Sequence, residues 1–141
     1  MKTVFLSSLA LFFALTTIQV NAQAPEHTHD KNNYVVLTKK VDQLKPILLT
    51  AEALALEDGE RFGDFQVIVC GQDISQLTDT DKMKGFVAQA EKAGVHLVAC
   101  GFSMNKFKVD PKDIPQEMEI VENGILHDFQ LQKKGYYSLG L

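Results

Sequence analysis

The run Gly94-Val95-His96-Leu97-Val98-Ala99-Cys100-Gly101 decides the fold. Between its two glycines it is apolar apart from His96. It is too short for a core helix and carries β-branched residues, which marks a strand buried on both faces. The same pattern occurs upstream in Phe65-Gln66-Val67-Ile68-Val69-Cys70-Gly71, again closed by Cys-Gly. Strands of this kind belong to parallel sheets, whose connections are helices. Between the two, Asp79 is placed to cap a helix with the apolar stripe Met83, Phe86, Val87 and Ala90, ending at Gly94.

Outward from this pair the alternation continues. Tyr34-Val35-Val36-Leu37-Thr38 reads as the first strand. Residues 42–58 follow as a helix with Leu44, Ile47, Leu48, Ala51, Leu54 and Ala55 on one face. Pro46 is tolerated only in a first turn, so this helix begins near Leu44, and Gly59 stops it. Downstream, Cys100-Gly101 opens a strand-turn-helix pattern, and residues 117–121 form a short fourth strand whose acids solvate a sheet edge. Asn123 caps a third long helix with Ile125 and Phe129 inward, His127 outward and Gly135 as its stop, and Tyr136-Tyr137-Ser138-Leu139 is the last strand. The expectation is an α/β fold of three layers, αβα, with a mostly parallel sheet of about five strands in the flavodoxin-like order 2-1-3-4-5.

The amino end reads differently. Lys2, the apolar run over residues 4–15, and Val20 and Ala22 at the −3 and −1 positions fit a secretory signal peptide cut after Ala22. Residues 23–33, with His27, His29 and Pro25, form a flexible leader, and residues 34–141 the domain. This places the mature protein in the periplasm or outside the cell, with no membrane association after cleavage. Cleavage leaves 13 basic and 18 acidic residues, a net charge of −5. An acidic chain without a basic block is not a nucleic-acid binder. The sequence contains no Ser-His-Asp set, P-loop or GxGxxG, and no cofactor is implied. His27-Thr28-His29 beside Asp30 has metal-ligand chemistry, but two histidines on a polar leader are the plainer reading, so no metal site is assigned.

The distinctive chemistry lies in two cysteines. In open parallel sheets, ligands gather beyond the carboxyl ends of the strands, where Cys70 and Cys100 both stand. A thiol at a helix start with Lys106 and Lys108 nearby ionises more readily than a free cysteine, and a thiolate can take up sulfur as a persulfide. The competing reading of each is a small buried hydrophobe closing a strand. Asp73 after Cys70 disfavours ionisation there, so Cys70 is the secondary thiol. In the order 2-1-3-4-5 the first strand separates the two cysteines by roughly 10 Å. That exceeds the ~7 Å limit for a disulfide, so free thiols are expected.

Several segments together resemble the DsrE/DsrF-like family, which includes the TusD-type sulfur-relay subunits. They are Val67-Ile68-Val69-Cys70-Gly71, then Gly94-Val95-His96-Leu97-Val98-Ala99-Cys100-Gly101, the basic segment to Val109, Val121-Glu122-Asn123-Gly124-Ile125, and Leu131-Gln132-Lys133-Lys134-Gly135-Tyr136. The resemblance covers nearly all of residues 34–139. It implies a three-layer αβα fold, assembly into homo-trimers or hexamers, and sulfur carried as a persulfide on the cysteine that aligns with Cys100. It also implies a basic residue at Lys106 and a sulfur donor or acceptor protein as partner. Gly101, Ser103, Asn105, Lys106 and Gly71 are the candidate binding residues around that thiol. Two features depart from the pattern: the relay subunits are cytoplasmic, and Lys108 stands where they tend to have glycine. The alternatives are a non-catalytic oligomeric module that binds a small ligand or a protein, and a thiol redox sensor using both cysteines. His96 is expected to be a satisfied face or core residue.

Overall fold

The computed structural model describes residues 31–141. Residues 1–22, read as a signal peptide, and the His27-Thr28-His29 segment lie outside the described residues. Five strands form one parallel sheet: β1 (Asn32–Thr38), β2 (Phe62–Val69), β3 (Val95–Cys100), β4 (Glu119–Val121) and β5 (Tyr137–Gly140). The helices are α1 (Leu44–Asp58), α2 (Thr80–Ala93), α3 (Gly101–Phe107) and α4 (Gly124–Lys133), with a 3-10 segment, Gln72–Thr78, between β2 and α2. The fold is α/β with helices on both faces of the sheet, a three-layer αβα arrangement.

α1 and α2 form where the periodicity places them. Leu44, Ile47, Leu48 and Ala51 are buried on α1, and Met83, Val87 and Ala90 on α2. Asp79 caps α2 by accepting from the Lys82 N–H, and Gly94 ends it in the left-handed region at φ 67°. β1 starts at Asn32, two residues before its apolar run, because two asparagine side chains fasten that end. The Asn33 Oδ1 accepts from the Asp64 N–H at 2.8 Å, and the Asn32 Nδ2 donates to Asp58 Oδ1 at 2.8 Å.

The strand order is β4-β3-β2-β1-β5, not the expected flavodoxin-like 2-1-3-4-5. The chain steps one way from β1 to β4, then α4 carries it back to the opposite edge beside β1. With right-handed crossovers, α1 and α2 fall on one face and α4 on the other. Accordingly α1 packs on α2, while α4 lies across β1, β2 and β3. Strand residues alternate between these layers. Val67, Val69, Leu97 and Ala99 face α1 and α2, and Ile68, Cys70, Val98 and Cys100 face α4.

The orientation of α4 is the second correction. Ile125 and Phe129, expected inward, are 57% and 55% exposed, and the buried residues are Gly124 and Leu131. His127, expected outward, is half-buried and meets Gln66 Oε1 at 2.8 Å through Nε2. Positions 124, 127 and 131 share one face, i, i+3 and i+7. That face wins because the sheet beneath it is approached so closely that only a residue without a side chain fits at its start.

Candidate functional site

β2 and β3 are neighbours, with Val69 paired to Ala99. One residue further, Cys70 and Cys100 therefore stand side by side on the α4 face. The ~10 Å separation expected from an intervening strand does not occur. Both thiols are free, as expected, but not because distance keeps them apart.

α4 seals this pair from above. A Cβ on Gly124 would lie 2.6 Å from Cys70 Sγ, 2.7 Å from Ile68 Cγ2 and 3.1 Å from Cys100 Cβ. All three are packed atoms with nowhere to go, so glycine at 124 is a steric requirement. The close approach lets the Gly124 N–H donate to Cys100 Sγ at 3.2 Å. Asn123 fixes the helix start by accepting from the N–H groups of Ile125 at 3.0 Å and Leu126 at 3.3 Å. The positive end of a ten-residue helix thus points at the Cys100 sulfur.

The other candidates divide. Gly71 and Ser103 come together: Gly71 turns through the left-handed region at φ 78° and donates its N–H to Ser103 Oγ at 2.9 Å, tying the end of β2 to α3. Gly101 sits tightly under the β4 turn, where a Cβ would come within 2.9 Å of the Val121 carbonyl oxygen. The next residue continues that contact, the Phe102 N–H donating to the Glu122 carbonyl at 2.8 Å. Asn105 and Lys106 are not brought to the sulfurs. Both are exposed in the later part of α3, and the Lys106 ammonium lies 5.6 Å from the centre of the Phe107 ring.

The electrostatics separate the two thiols. Burial pushes Cys100 up, but hydrogen bonds from the Ser103 hydroxyl, the Gly124 amide, the Ser103 amide and the Cys70 thiol more than offset this, and its pKa falls below the ordinary thiol value. Cys70 is pushed up to about 12 by burial first, then by the charge of Cys100 and the hydrogen bond to it, with Lys39 opposing. Cys100 is therefore the more readily ionised thiol of the pair, and Cys70 is held protonated beside it. Neither sulfur is open to solvent: Cys100 is 3% and Cys70 6% exposed.

Sequence reasoning missed Gly124 and Lys39. Asn123-Gly124 opening a helix was the available signal for the first. Lys39 follows β1 and packs its Cβ and Cγ 3.5 Å from the Cβ position of Gly71, a placement that depends on the strand order. Lys108, at the end of α3, adopts φ 57°, the left-handed region.

A polar chain runs along the same sheet face away from the thiols. Asp64 accepts from Tyr136 Oη and Gln66 Nε2, each at 2.7 Å, and lies 3.4 Å from His96 Nε2. His96 is thus an exposed face residue with a carboxylate partner. The larger concavities are elsewhere, a cleft of about 440 Å³ between α2 and residues 112–117 and one of about 300 Å³ beside it. A hollow of about 260 Å³ flanks the start of α4, lined by Val121, Glu122, Asn123, Leu126, His127 and Gln130. Among the described residues no helix is long and apolar enough to cross a membrane, and no cluster of three or more His, Cys, Asp or Glu is arranged to hold a metal ion.

Two solved structures share this fold. The protein of unknown function MTH1491 from Methanobacterium thermoautotrophicum is 18% identical, with a TM-score of 0.64, covering 79% of this chain and all of its own. The conserved protein of unknown function BT1422 from Bacteroides thetaiotaomicron is 15% identical, with a TM-score of 0.55, covering 78% of this chain and 95% of its own. No protein-family model and no curated protein matches the chain. At these identities the likeness speaks for the fold alone.

Proposed function

We propose that this is an exported sulfur-handling protein of the DsrE-like type, which carries sulfur on Cys100 as a persulfide in a periplasmic sulfur-relay or sulfur-metabolism setting. The observation that carries this reading is the Gly124 N–H on Cys100 Sγ at 3.2 Å, at the start of a helix whose close approach requires glycine. A hydrogen bond to an anionic sulfur stabilises the nucleophilic form. In the loading step the Cys100 thiolate attacks a sulfane sulfur. A bond forms from Cys100 Sγ to that sulfur, and the bond to the donor breaks with its electron pair leaving on the donor. With Cys100 only 3% exposed beneath the start of α4, small donors are favoured over protein-sized ones for this step. To unload, a thiolate of an acceptor protein attacks the outer sulfur, and the bond to Cys100 Sγ breaks with its electron pair returning to Cys100 as thiolate.

Assembly into a homo-oligomer is part of this proposal. Phe102 on α3 and Ile125, Leu126 and Phe129 on α4 are 65%, 57%, 52% and 55% exposed, large apolar side chains that the single chain leaves uncovered. A second reading, a binding module in which the cysteines only fill the core, is favoured by the burial of both sulfurs.

The test is to incubate the reduced mature protein carrying Cys70→Ser, so that Cys100 is its one thiol, with inorganic polysulfide, remove the excess, and measure intact mass. The expected result is a product one sulfur atom heavier that is lost when Cys100→Ser is added. A folded Cys70→Ser protein that gains no sulfur, or an adduct that survives in Cys100→Ser, overturns the carrier reading and leaves the binding module. Amino-terminal sequencing of the secreted form, expected to begin at Gln23, tests the export assignment.

A further inference from the structure

Cys70 forms no bond in the loading step, yet the fold places it where it can act on a loaded Cys100. The two residues follow the Val69–Ala99 pair on adjacent parallel strands, where neighbouring chains run about 4.8 Å apart. That spacing falls within the ~4.4–6.8 Å range of Cα separations that a disulfide spans. Both side chains point to the α4 face, since Cys70 Sγ and Cys100 Cβ lie 2.6 and 3.1 Å from the same point above Gly124. A core cysteine needs none of this. Each strand could close on valine or alanine, as residues 69 and 99 do one step earlier.

We propose that Cys70 is the resolving thiol of this site: it attacks the Cys100 persulfide at the inner sulfur, expels hydrosulfide and leaves a Cys70–Cys100 disulfide. This rests on the persulfide reading above and deepens it. In the step, the Cys70 proton passes to the outer sulfur as a bond forms between Cys70 Sγ and Cys100 Sγ. The bond from Cys100 Sγ to the outer sulfur breaks, and its electron pair leaves on hydrosulfide. The two cysteine sulfurs are oxidised and the sulfane sulfur is reduced, so no outside oxidant enters. A dithiol reductant then restores both thiols. The unequal surroundings of the pair assign the order of events. Cys100, under the Gly124 amide, takes the sulfur, and Cys70 keeps its proton until there is a leaving group to receive it. The protein would thus convert sulfane sulfur to sulfide once per chain per reduction.

The test uses the full mature chain as wild type, Cys70→Ser and Cys70→Ala. Each is reduced, loaded with inorganic polysulfide and desalted into buffer without thiol, and sulfide and intact mass are followed together. Wild type is expected to release one sulfide per chain and end two hydrogen atoms lighter than the reduced protein, with added dithiothreitol restoring a second round. Both variants are expected to keep the extra sulfur and release no sulfide. Non-reducing peptide mapping of the wild type follows the Cys70–Cys100 linkage directly, so the result stands even if a variant misfolds. A wild-type adduct that persists with no such linkage overturns the resolving role while leaving the carrier reading intact. If neither wild type nor a folded variant gains sulfur, the carrier reading falls and this inference falls with it.

Discussion

The substitution Gly124→Ala isolates the contact on which the site depends. An alanine Cβ would sit 2.6 Å from Cys70 Sγ and 2.7 Å from Ile68 Cγ2, whereas carbon and sulfur atoms in a packed interior need about 3.5–4.0 Å. The start of α4 must therefore lift by about 1 Å. That movement takes the 3.2 Å contact from the Gly124 N–H to Cys100 Sγ beyond hydrogen-bond range. Overpacking of this kind costs about 1–3 kcal/mol. The better helix propensity of alanine returns at most ~1 kcal/mol, leaving a net destabilisation of about 1–2 kcal/mol. Loss of a hydrogen bond to a charged sulfur, worth about 1.5–3 kcal/mol, raises the Cys100 pKa and moves its alkylation profile to higher pH. Urea unfolding gives the first quantity. The pH dependence of alkylation by a small reagent, measured in a Cys70→Ser background so that one thiol reports, gives the second. Gly85→Ala is the matched control. Gly85 is exposed in the middle of α2 with open space at its Cβ, so the same change there is expected to stabilise by about 0.5–1 kcal/mol. If Gly124→Ala unfolds like wild type and leaves the alkylation profile unmoved, the close approach of α4 and the polarised sulfur are both refuted.

Other changes probe the surrounding parts. Asn123→Ala removes the acceptor for two helix N–H groups and should cost about 1 kcal/mol in urea unfolding, with a slower Cys100 alkylation rate at neutral pH. Lys108 holds a left-handed backbone that costs a side-chain-bearing residue about 1–2 kcal/mol. Lys108→Gly should therefore raise the unfolding midpoint, and a lowered midpoint would show that the lysine side chain matters more than its backbone. Cys70, Tyr34 and Tyr136 are each raised to about 12 in the fold, from 9.0 for the thiol and 10.0 for the tyrosines. Burial is the first cause in all three, and each tyrosine also donates to a carboxylate, Tyr34 to Asp58 and Tyr136 to Asp64. Each stays protonated in the fold after ionising in the unfolded chain, so its contribution is whole below the unfolded value and drains as pH climbs towards 12. Cys100 runs the opposite way, its lowered value lending stability that is lost as pH falls through the folded value. Urea midpoints should thus decline steeply above about pH 9, and the double change Tyr34→Phe, Tyr136→Phe should flatten the decline. A midpoint level across that range would contradict the buried hydrogen-bonded phenols.

The elements were legible where local physics sets them. α1 and α2 announce themselves through one-sided apolar spacing and through Asp79, Gly59 and Gly94 at their ends, and β2 and β3 through unbroken apolar runs. Strand order was not legible, because periodicity identifies a strand and its burial but not its neighbour. The neighbour depends on where the last helix returns across the sheet. That one error separated Cys70 from Cys100 and hid Lys39. The face of α4 was misread for a related reason. Ile125 and Phe129 carry the apolar spacing of an inward stripe, yet the buried row begins with a glycine, which contributes nothing to a hydrophobicity pattern and everything to closeness. Cys100 itself was found from its position at a strand end. The source of its positive potential was placed on the segment after it, whereas the contact that matters comes from Gly124, twenty-four residues further along.

The layer that covers the sulfurs is made after the strands that carry them. Everything from β1 through β3, both cysteines included, precedes Gly124, and only residues from there onward supply α4 and β5. At about 5–20 residues per second, those residues take roughly 1–4 s to emerge. For that interval a growing chain has its two thiols assembled but uncovered. A product that stops short at Glu122 would keep the cysteine-bearing strands and lose their roof.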